Sequence, residues 1–280
     1  MDYWIIQNNR IIDASASGQP LLSALEHFIC PPSTGRSTSS EEASSPITIA
    51  AVGAGGKSSL LLGLLREAFA NGQNALLTTT THMFLPESLL EKRLALGTPV
   101  EPEVRRGSWI KCRAPEPEQL TQAGPDRKLV LIEADGSRKL PLKLPETYEP
   151  VIPDHTDCIL AVYGLSALGK PFSAVCHRYA LLTSGVLPLP SLPAEPESPV
   201  TPRLMGTLMR EAYLKPLSET YPDTFILPVW NQADTPNTFE AARLAAEQCG
   251  WPVQLISHFP EPERSSFFLK KSVTVRPDGS

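Results

Sequence analysis

Residues 51–58 (AVGAGGKS) have the residue types and spacing of a phosphate-binding loop. They fit the pattern Ala/Gly-x-x-x-x-Gly-Lys-Ser/Thr, with alanine in the first position, where glycine is commoner. Small residues let backbone N–H groups curl around a phosphate, while the lysine reaches the β- and γ-oxygens and the serine hydroxyl binds Mg²⁺. The alternative is a glycine-rich turn that carries an exposed lysine. We expect Mg²⁺ and a nucleoside triphosphate, ATP or GTP, at Gly53, Ala54, Gly55, Gly56, Lys57, Ser58 and Ser59.

Two carboxylates follow an apolar run at residues 129–132 and are candidates for holding Mg²⁺. A phosphate-binding loop needs a carboxylate at the end of a neighbouring strand, which holds the metal directly or through water. We assign this role to Asp135, with Glu133 as the alternative metal residue or as a base that orients water. The other interpretation is a carboxylate pair that caps a turn. Lys57, Asp135 and Glu133 are the candidate catalytic residues.

A run of four threonines at residues 78–81 precedes His82 at the end of a second apolar run. The hydroxyl of Thr80 is a candidate to complete the Mg²⁺ shell or to contact the γ-phosphate. The alternative is that threonine is simply common in strands, because it is β-branched. His82 is a candidate substrate contact, and the alternative is a structural histidine.

Residues 231–234 (NQAD) resemble the Asn-Lys-x-Asp signature with which GTPases read guanine. In that signature the aspartate accepts hydrogen bonds from the base, so Asn231 and Asp234 are candidate nucleotide contacts. Gln232 replaces the lysine, which shortens the stem that covers the base. The alternative is an ordinary loop rich in Asn and Asp.

A basic loop follows the second carboxylate, with Arg138, Lys139 and Lys143 as candidate substrate residues. Such a loop beside a phosphate site would clamp an anionic second substrate or supply charge in the transition state. His177 and Arg178 are a weaker indication of the same kind. The alternative is a solvated basic turn.

Apolar runs alternate with segments of helical spacing along most of the chain, and this pattern predicts the elements that position these residues. Strands are expected at residues 47–52, 75–81, 129–132, 157–163, 224–230 and 253–256. Helices are expected at residues 21–29, 58–70, 200–210 and 238–249. The alternation indicates an α/β fold of the P-loop NTPase type, with a mostly parallel sheet and helices on both faces.

Composition narrows the class of protein. The net charge of −5 and the absence of a long basic stripe argue against a nucleic-acid partner. No apolar run of roughly 18 residues and no N-terminal signal pattern are present, so we expect a cytoplasmic protein without a membrane partner. Five cysteines without a CxxC pair indicate neither a disulfide framework nor a zinc site.

Three regions are expected along the 280 residues. Residues 1–46 are interpreted as an N-terminal helix followed by a flexible linker, because residues 31–46 are rich in Ser, Thr and Pro. Residues 47–260 form the predicted nucleotide-binding domain, and residues 261–280 form a C-terminal tail.

The order of these motifs resembles the YqeC family. The motifs are VGAGGKS at 52–58, LTTTTH at 77–82, IEADGSR at 132–138, PLK at 141–143, EPVIP at 149–153 and NQAD at 231–234. The resemblance implies an accessory role for selenium-dependent molybdenum hydroxylases, through nucleotide binding during maturation or delivery of a cofactor. It further implies a molybdenum hydroxylase or a cofactor-maturation protein as partner. The family usually carries Asn-Lys-x-Asp in the last motif, and Gln232 departs from it.

Three functions are compatible with these residues. The first is hydrolysis of a nucleoside triphosphate that gates docking to a client enzyme or cofactor carrier. The second is a small-molecule kinase or transferase with an acceptor pocket at the basic loop. The third is a nucleotide-sensing interaction module that binds without turnover.

Overall fold

The computed structural model describes residues 2–8, 10–14, 16, 18–30, 46–80, 82–84, 109–111, 127–183 and 195–258. The strands are β1 Asp2–Gln7, β2 Arg10–Asp13, β3 Ile47–Gly53, β4 Asn74–Thr79, β5 His82–Phe84, β6 Trp109–Lys111, β7 Arg127–Glu133, β8 Leu142–Lys143, β9 Cys158–Gly164, β10 Cys176–His177, β11 Phe225–Asn231 and β12 Val253–His258. The α-helices are α1 Leu21–Ile29, α2 Lys57–Ala70, α3 Phe172–Val175, α4 Ala180–Thr183, α5 Pro202–Leu208, α6 Lys215–Thr220 and α7 Pro236–Cys249. A 3₁₀ turn spans Leu165–Ala167, and a π-helix at Met209–Leu214 joins α5 to α6.

Eight strands form the main sheet in the order β2-β1-β12-β11-β9-β3-β7-β4. The neighbours from β12 to β4 pair in parallel, and β1 pairs antiparallel with both β12 and β2. Parallel strands require crossover connections, which the helices supply. This arrangement confirms the predicted α/β fold with a mostly parallel sheet.

Successive residues of the central strands face two different apolar layers, as the twofold period of a strand requires. Ala50 and Val52 pack into one cluster, whereas Ile49 and Ala51 pack into the other. Buried leucines of α1 and α2 belong to the second cluster, and buried residues of α5 and α7 belong to the first. Helices therefore cover both faces of the sheet, as predicted.

The N-terminal segment contains more structure than the predicted helix. Its first strand, β1, adds to the main sheet by pairing with β12, and Tyr3 is 1% exposed. The helix α1 lies at the predicted residues and buries Leu22 completely. The described part of residues 2–30 thus belongs to the sheet and its core, and it adds β1 and β2 to the helix predicted there. Sequence inspection missed β1 because its apolar residues, WII, are too few to show a period.

Several element boundaries differ from the predicted ones by a few residues. The strand β7 begins at Arg127 instead of residue 129, and β4 ends at Thr79 instead of residue 81. The helix α5 begins with the predicted cap, in which Thr201 accepts a hydrogen bond from the Leu204 N–H. The predicted linker at residues 31–45 and the tail at 261–280 lie outside the described residues. None of the helices in the described ranges is long and apolar enough to cross a membrane.

Candidate phosphate-binding site

The turn between β3 and α2 has two positions that only glycine can occupy. Gly55 has a φ of +83°, and a Cβ atom on it would lie 2.2 Å from the backbone nitrogen of Gly164. Gly56 has a φ of +111°, and a Cβ atom there would lie 2.2 Å from Nδ2 of Asn231. A left-handed backbone and contacts this short exclude a side chain at both positions. The turn is therefore packed tightly against the ends of β9 and β11.

Lys57 folds back over its own loop. Its Nζ donates a hydrogen bond to the Gly53 carbonyl at 2.6 Å and lies 3.1 Å from Oδ1 of Asp135. The side chain is only 2% exposed, yet the residue lines the cavity at the loop. The lysine charge is thus held where the β- and γ-oxygens of a bound triphosphate are expected.

Asp135 is fully buried and holds the loop in place. The Gly53 N–H donates to its Oδ2 at 2.9 Å, and the Tyr213 hydroxyl donates to the same oxygen at 3.3 Å. Lys57 and Lys143 contact the carboxylate from two sides, at 3.1 Å and 3.2 Å. Asp135 is not among the residues that line the cavity. Its carboxylate is committed to protein groups, which favours a positioning role over the metal contact predicted from the sequence.

Glu133, the last residue of β7, is the carboxylate that faces the loop serine. The Ser58 hydroxyl donates to its Oε2 at 2.6 Å, and both residues line the cavity. Burial raises the pKa of Glu133, although the nearby Lys57 charge and the hydrogen bond from Ser58 act in the opposite direction. Glu133, which is the alternative metal residue in the sequence analysis, therefore lies beside Ser58.

The oxygens of Ser58 and Glu133 form a donor set that fits Mg²⁺. This ion prefers oxygen ligands, keeps several waters and is bound through one or two carboxylates together with substrate phosphates. Within the described ranges, no group of three or more His, Cys, Asp or Glu side chains forms a metal site of its own. The pair suits an ion that is shared with a bound triphosphate.

Lys143 lies in a chain of alternating charges that continues from Asp135. Its Nζ is 2.8 Å from Oε2 of Glu149, and the Arg178 guanidinium pairs with the same carboxylate. Arg178 also approaches Glu146, with 3.5 Å between Nε and Oε1. Burial alone raises the pKa of Glu149, but the hydrogen bonds and charges of Arg178 and Lys143 outweigh it and lower the pKa. The Lys143 side chain is 0% exposed, which corrects its predicted substrate role because its ammonium group is enclosed.

Arg138 and Lys139 form the turn after β7 and line the cavity as exposed residues. Both have left-handed backbones, with φ of +50° and +63°, and the Leu140 N–H closes the turn on the Ser137 carbonyl at 3.0 Å. The structure thus brings these two predicted substrate residues to the same cavity as Lys57.

Two other predicted contacts, Thr80 and His82, have different outcomes. The Thr80 hydroxyl, a candidate metal ligand, donates to the Val151 carbonyl at 3.0 Å and does not line the cavity. His82 begins β5, and its side chain lies outside what the structure describes. Ser59 does line the cavity, as expected for the first turn of α2.

Of residues 231–234, only Gln232 lines the cavity. The Asn231 amide is 1% exposed and donates to the Gly55 carbonyl at 2.8 Å. Asp234 Oδ1 lies 2.7 Å from Nδ1 of His258. The guanine contacts predicted for Asn231 and Asp234 stay a prediction, and the observed role of Asn231 is to hold the phosphate-binding turn.

These residues surround a cavity of about 970 Å³, which begins at the phosphate-binding turn. Its lining consists of Gly55, Gly56, Lys57, Ser58, Ser59, Leu62, Glu133, Gly136, Ser137, Arg138, Lys139, Leu140, Pro141, Glu149, Ser166, His177, Arg178 and Gln232. The cavity is therefore built from the loop, the end of β7, the basic turn and the β10 region.

Sequence reasoning missed two residues of this site, Glu149 and Tyr213. Glu149 lies in the EPVIP segment, where the prolines indicate an irregular connection, but nothing in the sequence pairs it with Lys143. Tyr213 lies in the π-helix and has no local signal, because its partner Asp135 is 78 residues away. Burial and the nearby Asp135 charge raise the pKa of Tyr213, so its hydroxyl remains a donor.

Comparisons with known proteins agree with the resemblance. The family model described as "YqeC protein" matches residues 49–180. The chain is 37% identical over 152 residues to "Uncharacterized protein YqeC" of Escherichia coli (strain K12). That alignment covers 48% of this chain and 59% of the relative's length. No solved structure matches the chain.

Proposed function

We propose that the chain, which matches the YqeC family model over residues 49–180, binds and hydrolyses a Mg²⁺–nucleoside triphosphate at the loop of residues 53–59. The observation that carries this proposal is the 2.6 Å contact between Ser58 and Glu133 on a cavity that Lys57 also lines. A serine hydroxyl and a carboxylate in contact, beside a loop lysine, form the combination that phosphoryl transfer requires.

The chain's own residues would act by binding and by placing charge. The Gly53 and Ala54 N–H groups donate to Asp135 and to the Val162 carbonyl, so the N–H groups of residues 55–58 would surround the phosphates. Lys57 would turn its ammonium from the Gly53 carbonyl towards the β- and γ-oxygens. Ser58 and Glu133 would hold Mg²⁺ directly or through water, and the ion when bound would supply positive charge to the phosphates. Asp135 keeps Lys57 and the loop in position. Phosphoryl transfer needs little covalent chemistry from the protein, so positioning and charge suffice.

The biological setting is proposed from the family resemblance. We propose that hydrolysis accompanies the maturation or delivery of a molybdenum or selenium cofactor to a hydroxylase. A pull-down of this chain with a candidate hydroxylase, in the presence of ADP or a non-hydrolysable triphosphate, would test it. Nucleotide-dependent retention is the expected result, and equal retention with both nucleotides would contradict a gating role.

The binding proposal is tested by thermal-shift titration with ATP and GTP analogues, with and without Mg²⁺. A ligand at about 100 times its Kd stabilises the native state by roughly 2.7 kcal/mol, which gives a visible shift. We expect a Mg²⁺-dependent shift that Lys57→Ala abolishes. Lys170→Ala, which changes an exposed lysine outside the cavity, is the control and should leave the shift unchanged.

Phosphate release by the wild type and Lys57→Ala tests hydrolysis separately. A nucleotide-induced shift without phosphate release, alone or with client protein, would favour the non-hydrolysing sensing module. The absence of any shift with either nucleotide would refute the binding proposal itself.

A further inference from the structure

Four basic or imidazole side chains that do not belong to the phosphate-binding turn line the cavity. We call Arg138, Lys139, His177 and Arg178 the basic rim; all four line the cavity together with Lys57. The assignment of Mg²⁺ and triphosphate to Lys57, Ser58 and Glu133 leaves the basic rim without a function.

The backbone builds the basic rim from two separate segments. The short strands β8 and β10 pair in parallel, with His177 opposite Lys143, and the Leu144 N–H donates to the His177 carbonyl at 3.0 Å. This pairing brings the segment with His177 and Arg178 beside the one that follows the Arg138 turn. The segment that follows the Arg138 turn also touches the phosphate-binding turn, since a Cβ atom on Gly55 would lie 2.9 Å from the Pro141 carbonyl.

Three of the four basic-rim residues hold a backbone conformation that side chains other than glycine rarely adopt. The φ angles are +50° at Arg138, +63° at Lys139 and +63° at Arg178. Such conformations are disfavoured and persist only where surrounding structure imposes them, typically at binding sites. Three such residues line the same cavity, which favours a binding role for this part of its lining.

The charge of the cavity lining favours anions. Four Lys or Arg residues and two Glu residues line it, whereas the whole chain has a net charge of −5. Glu149 offsets Arg178, and Glu133 accompanies Ser58. Arg138 and Lys139, which are exposed, are two of the four Lys or Arg residues in this lining, and the lining is more positive than the chain as a whole.

The cavity is large for a pocket that holds one small ligand. Ligand pockets typically span roughly 300–1,000 Å³, and this cavity, at about 970 Å³, is at the upper end. Such a volume leaves room for a second anionic group beside a nucleotide.

We propose that the basic rim is a second anion subsite, which holds the carboxylate or phosphate group of a small molecule while the phosphate-binding turn holds the nucleotide. Arginine and lysine donate charge-assisted hydrogen bonds to either group, and arginine can do so with two parallel bonds. Arg178, fixed by Glu149, sets one edge of the subsite, and the Arg138 turn sets the other. This proposal deepens the proposed function and rests on it for the identity of the first ligand.

The test is a calorimetric titration of the full chain with malonate and with inorganic phosphate, after saturation with a non-hydrolysable Mg²⁺–triphosphate analogue. The double variant Arg138→Gln/Lys139→Gln should bind the preferred probe at least tenfold more weakly than the wild type. The matched control Lys170→Gln/Arg203→Gln removes two exposed cations outside the cavity and should bind as the wild type does. The stronger of the two probes identifies a carboxylate or a phosphate ligand.

Equal weakening in both double variants, or no binding of either probe to the wild type, would overturn the subsite. A parallel titration without nucleotide, in Lys57→Ala, separates this result from the proposed function. If triphosphate does not bind but the probes still distinguish the two double variants, the subsite stands and the proposed function fails. If triphosphate binds and neither probe binds, the proposed binding of triphosphate stands and the subsite fails.

A structural readout comes from NMR of the His177 ring, assigned with His177→Gln. Burial, together with the charges of Arg178, Lys143 and Arg138, lowers the pKa of His177. A bound anion adds negative charge nearby and should raise that pKa, in the wild type but much less in Arg138→Gln/Lys139→Gln. An unchanged His177 pKa at saturating probe would contradict binding at the basic rim.

Discussion

At the scale of single residues, the site is a run of alternating charges that starts at Lys57. Asp135, Lys143, Glu149 and Arg178 follow in order, each in contact with the next. Removing one partner of a buried pair leaves the other uncompensated, which is more costly than the pair itself is stabilising. Substitutions of Glu133 and Asp135 are therefore expected to have different phenotypes, because only Glu133 lines the cavity.

Glu133→Gln should impair the use of Mg²⁺ while the chain stays folded. The amide keeps the size of the side chain but loses the negative charge that binds Mg²⁺. We therefore expect the Mg²⁺ concentration that gives half-maximal phosphate release to rise roughly 10–100-fold. The measurement is a Mg²⁺ titration of turnover at fixed nucleotide. A normal Mg²⁺ profile in this variant would remove Glu133 from the metal site.

Asp135→Asn should act on stability. It leaves Lys57 and Lys143 without their shared carboxylate inside the protein, and the loss of a buried partner costs about 3–5 kcal/mol. Urea unfolding of this variant beside Glu133→Gln measures the difference. If Asp135→Asn is as stable as the wild type and loses Mg²⁺ dependence instead, the metal role predicted from the sequence is the correct one.

Glu149→Gln should show a pH-dependent loss of stability. The pKa of Glu149 is lowered in the folded state, so its contribution is present above the ordinary carboxyl value of 4.5 and is lost as the pH falls through the folded-state pKa. The difference in melting temperature between the wild type and Glu149→Gln should be largest at neutral pH and shrink below 4.5. Melting curves from pH 7 downwards measure it, and a constant difference would contradict the ion-pair explanation.

At the scale of elements, the close approach of α5 to α7 depends on one glycine. A Cβ atom on Gly206 would lie 2.3 Å from the Ala245 carbonyl, a backbone atom that cannot rotate away. Both helices cover the face of the sheet that carries Ala50 and Val52. The absence of a side chain at Gly206 thus allows α5 and α7 to approach each other this closely.

Gly206→Ala should destabilise the chain by about 1–3 kcal/mol, because overpacking outweighs the gain of up to about 1 kcal/mol in helix propensity. Nucleotide binding by the folded fraction should be unchanged. Gly136→Ala is the control, since no atom would lie within 4 Å of the added Cβ. Equal urea midpoints for the two variants would show that α5 and α7 can separate at little cost.

At the scale of the whole molecule, the N-terminal segment completes the sheet on the β12 side. The strand β1 pairs with β12 over six residue pairs, and α1 packs against α2, the helix that begins at Lys57. The Leu22 N–H donates to a carboxylate oxygen of Glu67 on α2 at 2.8 Å. The segment before residues 31–45 is therefore joined to the helix that carries the phosphate-binding turn.

Leu22→Ala should lower the free energy of unfolding by about 2–5 kcal/mol, because the Leu22 side chain is fully buried. Ile12→Ala in the same segment removes a residue that is 49% exposed and should have a much smaller effect. Urea unfolding followed by circular dichroism compares the two. Equal stabilities would show that residues 2–30 contribute little to the core.

The sequence alone determined the α/β class, the position of the phosphate-binding turn and most strands and helices, because these depend on local periodicity and on glycines at fixed spacing. It did not determine which carboxylate meets Ser58. Glu133 and Asp135 are two residues apart at the end of β7. The contacts of their side chains are with Ser58, Lys57 and Lys143, which come from other segments. Tertiary structure likewise decided the addition of β1 to the sheet, because its partner β12 is more than a hundred residues away. It also decided the burial of Lys143, because no local pattern in the sequence relates this lysine to Asp135 and Glu149.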